Sequence, residues 1–161
     1  MALPDQMAPF HAPGGPVGVL FCHGFTGSPA SLRGWAEQTA EAGYTVSLPV
    51  LPGHATVWQE LNVTSWRDWY DAVDAEYRSL RETCDTVFVA GLSMGGSLAL
   101  RLAQHHTDVA GLLLVNPALG AVDPLARFAG VLKYLVPATP SIGNDIAKEG
   151  VDEGAYDMTP V

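Results

Sequence analysis

The feature that most constrains this chain is the run Gly91-Leu92-Ser93-Met94-Gly95-Gly96, set between Thr86-Val-Phe-Val-Ala90 and an amphipathic stretch. The preceding segment is short, apolar and rich in β-branched residues, which reads as a buried parallel strand. The stretch that follows carries Leu98, Leu102 and Ala103 at helical spacing and ends near His105. A strand that passes into a helix over so few residues must turn sharply. Small residues at Gly91, Gly95 and Gly96 let neighbouring backbone pass close by, and the serine at the apex takes a strained conformation. Its hydroxyl is thereby lifted above the carboxyl edge of the sheet, facing the partly positive N-terminus of the next helix.

The rest of the chain repeats the alternation. Val17-Gly-Val-Leu-Phe-Cys22, after a Pro/Gly-rich lead-in, reads as a buried strand. Ser28-Pro29 reads as an N-cap followed by proline at the first helical position. Leu32, Trp35, Ala36, Thr39 and Ala40 then fall at helical spacing up to a C-capping Gly43. Tyr44-Thr-Val-Ser-Leu-Pro-Val50 restarts as a strand, and Leu51-Pro-Gly-His-Ala55 is a loop. Ser65 caps a helix whose Trp66, Trp69, Tyr70, Val73, Tyr77 and Leu80 share one face, with Asp68, Asp71 and Asp74 elsewhere. Leu112-Leu-Leu-Val115 is a fourth strand, and Asn116-Pro117 turns the chain out of it. The fold class that follows is α/β: a mostly parallel sheet with helices on both faces.

Composition narrows the function. A net charge of −9 argues against a nucleic-acid partner, which needs a basic footprint to replace phosphate counterions. The two cysteines, Cys22 and Cys84, make neither a disulfide framework nor a metal-ligand spacing, so buried free thiols are expected and no metal. Met1 to Pro16 carries no basic and apolar leader pattern, and runs such as Gly111-Leu-Leu-Leu-Val115 are too short to cross a bilayer. The expectation is a soluble, cytoplasmic protein without stable membrane insertion. Oligomeric state is not legible.

The pattern G-x-S-x-G occurs by chance in glycine-rich turns that merely pack a helix on a strand. Here a second motif accompanies it. His23-Gly24-Phe25-Thr26-Gly27 closes the first strand, where an acyl-transfer enzyme places one of two backbone donors for its oxyanion. The other donor comes from the residue after the nucleophile. On that reading Ser93 is the nucleophile, and the Phe25 and Met94 N–H groups form the oxyanion hole. Gly24, Gly91 and Gly95 make room, and His23 orients the loop rather than moving a proton.

Three segments together, His23-Gly-Phe-Thr-Gly-Ser-Pro29, Leu51-Pro-Gly-His54 and Gly91-Leu-Ser-Met-Gly-Gly96, resemble the small carboxylesterase and monoacylglycerol-lipase branch of the α/β-hydrolases. Ala155-Tyr-Asp-Met-Thr-Pro160 is similar to part of that branch's cap. The resemblance implies a serine hydrolase acting through an acyl-enzyme on a small-molecule ester, a short- to medium-chain carboxylic ester or monoglyceride, with no cofactor. It divides the chain into residues 1–119, the N-terminal part of the hydrolase core, and residues 120–161, the start of a helical cap or lid. Within the latter, Leu125 to Leu135 fits equally a cover over an acyl pocket and a plain packing helix.

In this fold the triad runs serine, acid, histidine. The histidines are His11, His23, His54, His105 and His106, and only the last two follow Ser93, about three helical turns on. His54 reads as a structural or rim residue. Asp123 follows the fourth strand, but the branch resembled takes its acid later. The triad acid and histidine are therefore expected to be missing from this chain, as from a fragment ending inside the cap. Negligible activity is expected of these residues alone, with an unpaired edge on the fourth strand. Two alternatives stay open: an acyltransferase or thioesterase on the same fold, and a non-catalytic hydrolase-like binding scaffold.

Overall fold

The computed structural model describes residues 4–120. A 3-10 turn at Asp5–Met7 leads into strand β1 (Phe10–Ala12) and strand β2 (Val17–Cys22). Helix α1 (Ala30–Glu41), strand β3 (Thr45–Leu48), the short helix α2 (Trp58–Asn62) and helix α3 (Trp66–Thr83) follow. Strand β4 (Thr86–Leu92), helix α4 (Met94–His105) and strand β5 (Gly111–Val115) complete the order. The strands form one sheet in the order β1-β3-β2-β4-β5, parallel throughout except for β1, which runs antiparallel to β3. The expected α/β architecture is the observed one.

Side-chain alternation along the strands builds two cores. Leu20 and Cys22 of β2, with Val87 and Val89 of β4, pack on Val73, Tyr77 and Leu80 of α3 and Leu98, Ala99 and Leu102 of α4. Val19 and Phe21, pointing the other way, meet Leu32 and Ala36 of α1 together with Val46, Leu48 and Ala90. Both faces of the sheet are thus covered, which is why its central strands read as unbroken apolar runs. Cys22 and Cys84 are free and buried. Burial pushes the Cys22 thiol up to about 12, so it stays protonated and inert.

Several local readings need correction. The lead-in before β2 contains strand β1, whose three residues are too few to show a period. Its identity comes from pairing with β3, Phe10 opposite Leu48 and Ala12 opposite Val46. Helix α2 was not expected either, being a single turn and a half with only Leu61 buried. Helix α1 begins at Ala30 with Pro29 as its N-cap, one residue later than the sequence suggests. Ser28 still serves the turn, its Oγ accepting from the Ala30 N–H at 3.3 Å. In α3 the apolar face holds for Val73, Tyr77 and Leu80, while Trp66 is exposed and stacks under the Arg67 guanidinium, 5.2 Å from the ring centre. Ser65 caps this helix as expected, its N–H and Oγ each donating to the Asp68 carboxylate at 2.7 Å. Those bonds hold the Asp68 carboxyl below its usual range.

Beyond β5 no further strand is paired among the described residues, and Leu113, Leu114 and Val115 are exposed there. The proposed cap at 120–161, with Asp123, the 125–135 segment and the Ala155–Pro160 motif, lies outside the described residues except for Gly120. Among those residues no helix is long and apolar enough to cross a membrane, and no group of three or more His, Cys, Asp or Glu is placed to hold a metal.

Candidate active site

Strand register brings the site together. Cys22 lies opposite Gly91, and Leu92 lies opposite Val115. The segments that leave β2, β4 and β5 therefore emerge side by side at the carboxyl edge of the sheet, the usual ligand crevice of an open parallel sheet. Ser93 sits at the bend between β4 and α4 with φ 53° and ψ −117°, a backbone conformation costly for any residue with a side chain. It is partly accessible.

Three hydrogen bonds and one close packing contact hold that bend against the end of β5 and the segment after it. The Ser93 N–H donates to the Val115 carbonyl at 2.9 Å, and the Ser93 carbonyl accepts from the Ala118 N–H at 3.1 Å. The Ser97 hydroxyl donates to the Ala118 carbonyl at 2.5 Å. Pro117 packs so tightly on Gly96 that an added Cβ there would lie 2.9 Å from its ring. The segment after β5, legible in the sequence only as a turn, is thus a clamp on the serine bend. Its cue was Asn116, which adopts the left-handed conformation that Asn tolerates better than most residues (φ 44°).

The loop after β2 rests against this bend. A Cβ built on Gly24 would stand 3.5 Å from the Ser93 Cβ, and one on Gly95 would enter the Cys22 carbonyl group and approach the His23 carbonyl oxygen to 2.6 Å. Met94 is the first residue of α4, so its N–H has no intrahelical acceptor. The Phe25 N–H makes no backbone hydrogen bond among the described residues. Serine, helix terminus and loop therefore converge, and among the described residues both candidate donors are without a backbone acceptor.

His23 is fully buried and spends both ring nitrogens on backbone. Nδ1 donates to the Gly24 carbonyl at 3.0 Å, and Nε2 accepts from the Leu51 N–H at 3.1 Å. It ties the β2 loop to the loop after β3, a link no local pattern announces. Burial drives its pKa down to about 4, so it is neutral at physiological pH. A buried histidine with a depressed folded pKa adds stability above its unfolded value of about 6.5, and that stability is lost as pH falls toward 4. The expected loss is about 3 kcal/mol by pH 4. Urea unfolding of the wild type between pH 7 and pH 4 should show this drop, and His23→Asn should show a shallower one. Equal slopes would mean that His23 takes up its proton without cost.

His106 and His54 make their hydrogen bonds elsewhere. His106 bonds Asp74 through Nε2 at 2.5 Å and leans on Tyr77, with ring centres 4.7 Å apart. It sits at the far end of α4, about 18 Å along the helix from Met94. His105 rests beside Tyr70. His54 is not a rim residue: it is 1% exposed, with Nδ1 on the Pro52 carbonyl at 3.1 Å. None of these histidine bonds involves Ser93.

Comparison with known proteins agrees with this geometry. Residues 19–159 match the model of the alpha/beta hydrolase family. A thermostable monoacylglycerol lipase from Bacillus sp. (strain H-257) is 47% identical over 158 residues, covering 94% of this chain and 60% of that protein. A carboxylesterase of Bacillus subtilis (strain 168) is 32% identical over 78% of this chain and 51% of its own length. A solved structure from work on LipS and LipT, two metagenome-derived lipolytic enzymes, superposes with a TM-score of 0.88 at 41% identity. That superposition covers 99% of this chain and 65% of the other. The chain thus spans about 60% of the length of the monoacylglycerol lipase and about half that of the carboxylesterase. With the sheet order, the serine bend and the family match in agreement, the chain belongs to the alpha/beta hydrolase family.

Proposed function

We propose that Ser93 is the nucleophile of a serine carboxylic-ester hydrolase acting on short- to medium-chain esters or monoglycerides. The observation that carries this is the Ser93 backbone, held at φ 53° where the N-terminus of α4 meets the loop after β2. Such strain persists only where the surroundings enforce it, and it clusters at functional sites. The likeness to a monoacylglycerol lipase and a carboxylesterase supports the ester as substrate class.

In this reading Ser93 Oγ attacks the ester carbonyl carbon while a histidine takes its proton. The Phe25 and Met94 N–H groups, with Gly24, Gly91 and Gly95 leaving room, hold the oxygen that becomes negative. Collapse expels the alcohol, which leaves with that proton. Water then adds to the acyl-enzyme and releases the acid and the free serine hydroxyl. The histidine and its acid come from outside the described residues in this reading, since none of the described histidines hydrogen-bonds Ser93 and both that follow it, His105 and His106, lie at the far end of α4. His23 keeps the loop in place as a neutral ring.

A fluorophosphonate probe applied to the full gene product should form an adduct that peptide mapping places on Ser93. The folded protein remaining unlabelled would refute the proposal.

A further inference from the structure

Phe25 carries one of the two proposed oxyanion donors, yet the residue is 53% exposed and its own N–H makes no backbone bond among the described residues. The next residue, Thr26, is in the left-handed region at φ 59°. Hydrogen bonds hold the turn on either side, Gly27 N–H to the Gly24 carbonyl at 3.2 Å and the His23 ring to the same carbonyl at 3.0 Å, but they leave the Phe25 side chain to be seated by packing. The rings around it supply the seat. Phe25 stands edge-on to His54 with centres 6.0 Å apart, and it lies 5.6 Å from Trp69. His54 is also edge-on to Trp69 at 5.3 Å and to His23 at 5.1 Å. Of the four rings, only His54 contacts each of the other three.

The backbone goes to some length to put it there. Gly53 and Ala55, on either side of His54, both have positive φ, 74° and 55°. At Ala55 that conformation is costly for a residue with a Cβ. A side chain at Gly53 would come within 2.8 Å of the α2 backbone at Leu61. Trp69 Nε1 donates both to the Pro52 carbonyl at 3.1 Å and to Thr64 Oγ1 at 3.0 Å, fixing the neighbouring ring to the same loop. His54 Nδ1 bonds that Pro52 carbonyl, which fixes the proton on Nδ1, while buried Nε2 has no hydrogen-bond partner among the described residues. The ring is therefore held by packing on its faces and edges, with a single polar tether.

We propose that His54 is a positioning residue for the reaction: its ring is the wedge that seats Phe25 and so aims the Phe25 N–H at the developing oxyanion. This rests on the esterase reading above. A wedge that sets a transition-state donor governs kcat more than KM, because the ground-state carbonyl depends less on that donor than the oxyanion does.

The test compares His54→Ala, His54→Asn and His54→Phe in the full gene product, with p-nitrophenyl butyrate hydrolysis, fluorophosphonate labelling and melting temperature measured on each. His54→Asn keeps an N–H for the Pro52 carbonyl but no ring; His54→Phe keeps a ring but no N–H. The alanine and asparagine variants should lose about 10²-fold in kcat with KM within about threefold, and the phenylalanine variant should stay within about tenfold of wild type. If the alanine variant does not fold, the asparagine and phenylalanine pair carries the comparison. Wild-type kcat in the asparagine variant, or rescue by asparagine and not by phenylalanine, would overturn the wedge while leaving labelled Ser93 untouched. A wild-type protein that neither turns over nor labels would instead overturn the esterase reading, and the wedge's catalytic role with it.

Discussion

Replacing Ser93 with alanine in the full gene product should lower kcat for ester hydrolysis by about 10⁶-fold, close to 8 kcal/mol of barrier, the loss seen when another serine hydrolase is stripped of its nucleophile. The alanine variant should fold normally, since the Ser93 hydrogen bonds to Val115 and Ala118 use only its backbone. Residual activity above about 1% of wild type would exclude Ser93 as nucleophile, because no other group replaces a covalent step at that efficiency. A companion substitution reads the strain independently of turnover. At φ 53° and ψ −117° glycine is less penalised than alanine, so Ser93→Gly should be more stable than Ser93→Ala by about 1 kcal/mol in spite of its more flexible unfolded chain. A glycine variant less stable than the alanine variant would mean that the bend is relaxed in solution.

The second large effect is structural. Gly95→Ala should destabilise the protein by more than about 3 kcal/mol, or prevent folding, because the new methyl would enter the Cys22 carbonyl group. The His23 carbonyl oxygen stands only 2.6 Å away on the same side. Both obstacles are main chain at the end of β2, in the middle of the sheet, and neither can move aside as a flexible side chain would. Gly34→Ala is the control. Apart from its chain neighbours and the backbone of its own helix, nothing lies within 4 Å of where its Cβ would stand, and the residue is on the exposed face of α1. Helix propensity alone should then raise stability by about 0.5–1 kcal/mol. Urea unfolding of the two variants separates them by sign. A Gly95→Ala protein as stable as wild type would show that α4 does not dock on the β2 loop as described.

What the sequence disclosed follows the range of the forces involved. The serine bend was readable because strand, glycines and helix are contiguous, and each constrains its neighbour. The apolar runs of β2 and β4 were readable because both faces of the sheet are covered over these central strands, whereas β5 reads the same way although Leu113, Leu114 and Val115 are exposed. Strand β1 was hidden, since three residues carry no period and only pairing with β3 makes them a strand. His54 was read as structural or rim because a loop has no periodicity from which to infer depth. Its burial comes from His23, Phe25 and Trp69, which are near it in space and scattered in sequence. The clamp on Ser93 by the segment after β5 was hidden for the same reason.

That clamp bears on how the protein is made. Synthesis proceeds from the N-terminus, and a growing chain begins to fold before it is complete. Among the described residues the last partner of the serine bend is Ala118, so every hydrogen bond described around Ser93 becomes available once that residue has cleared the ribosome. Nothing translated after Ala118 is needed, among the described residues, to close the strained turn, so the geometry at Ser93 would be set early in the nascent chain.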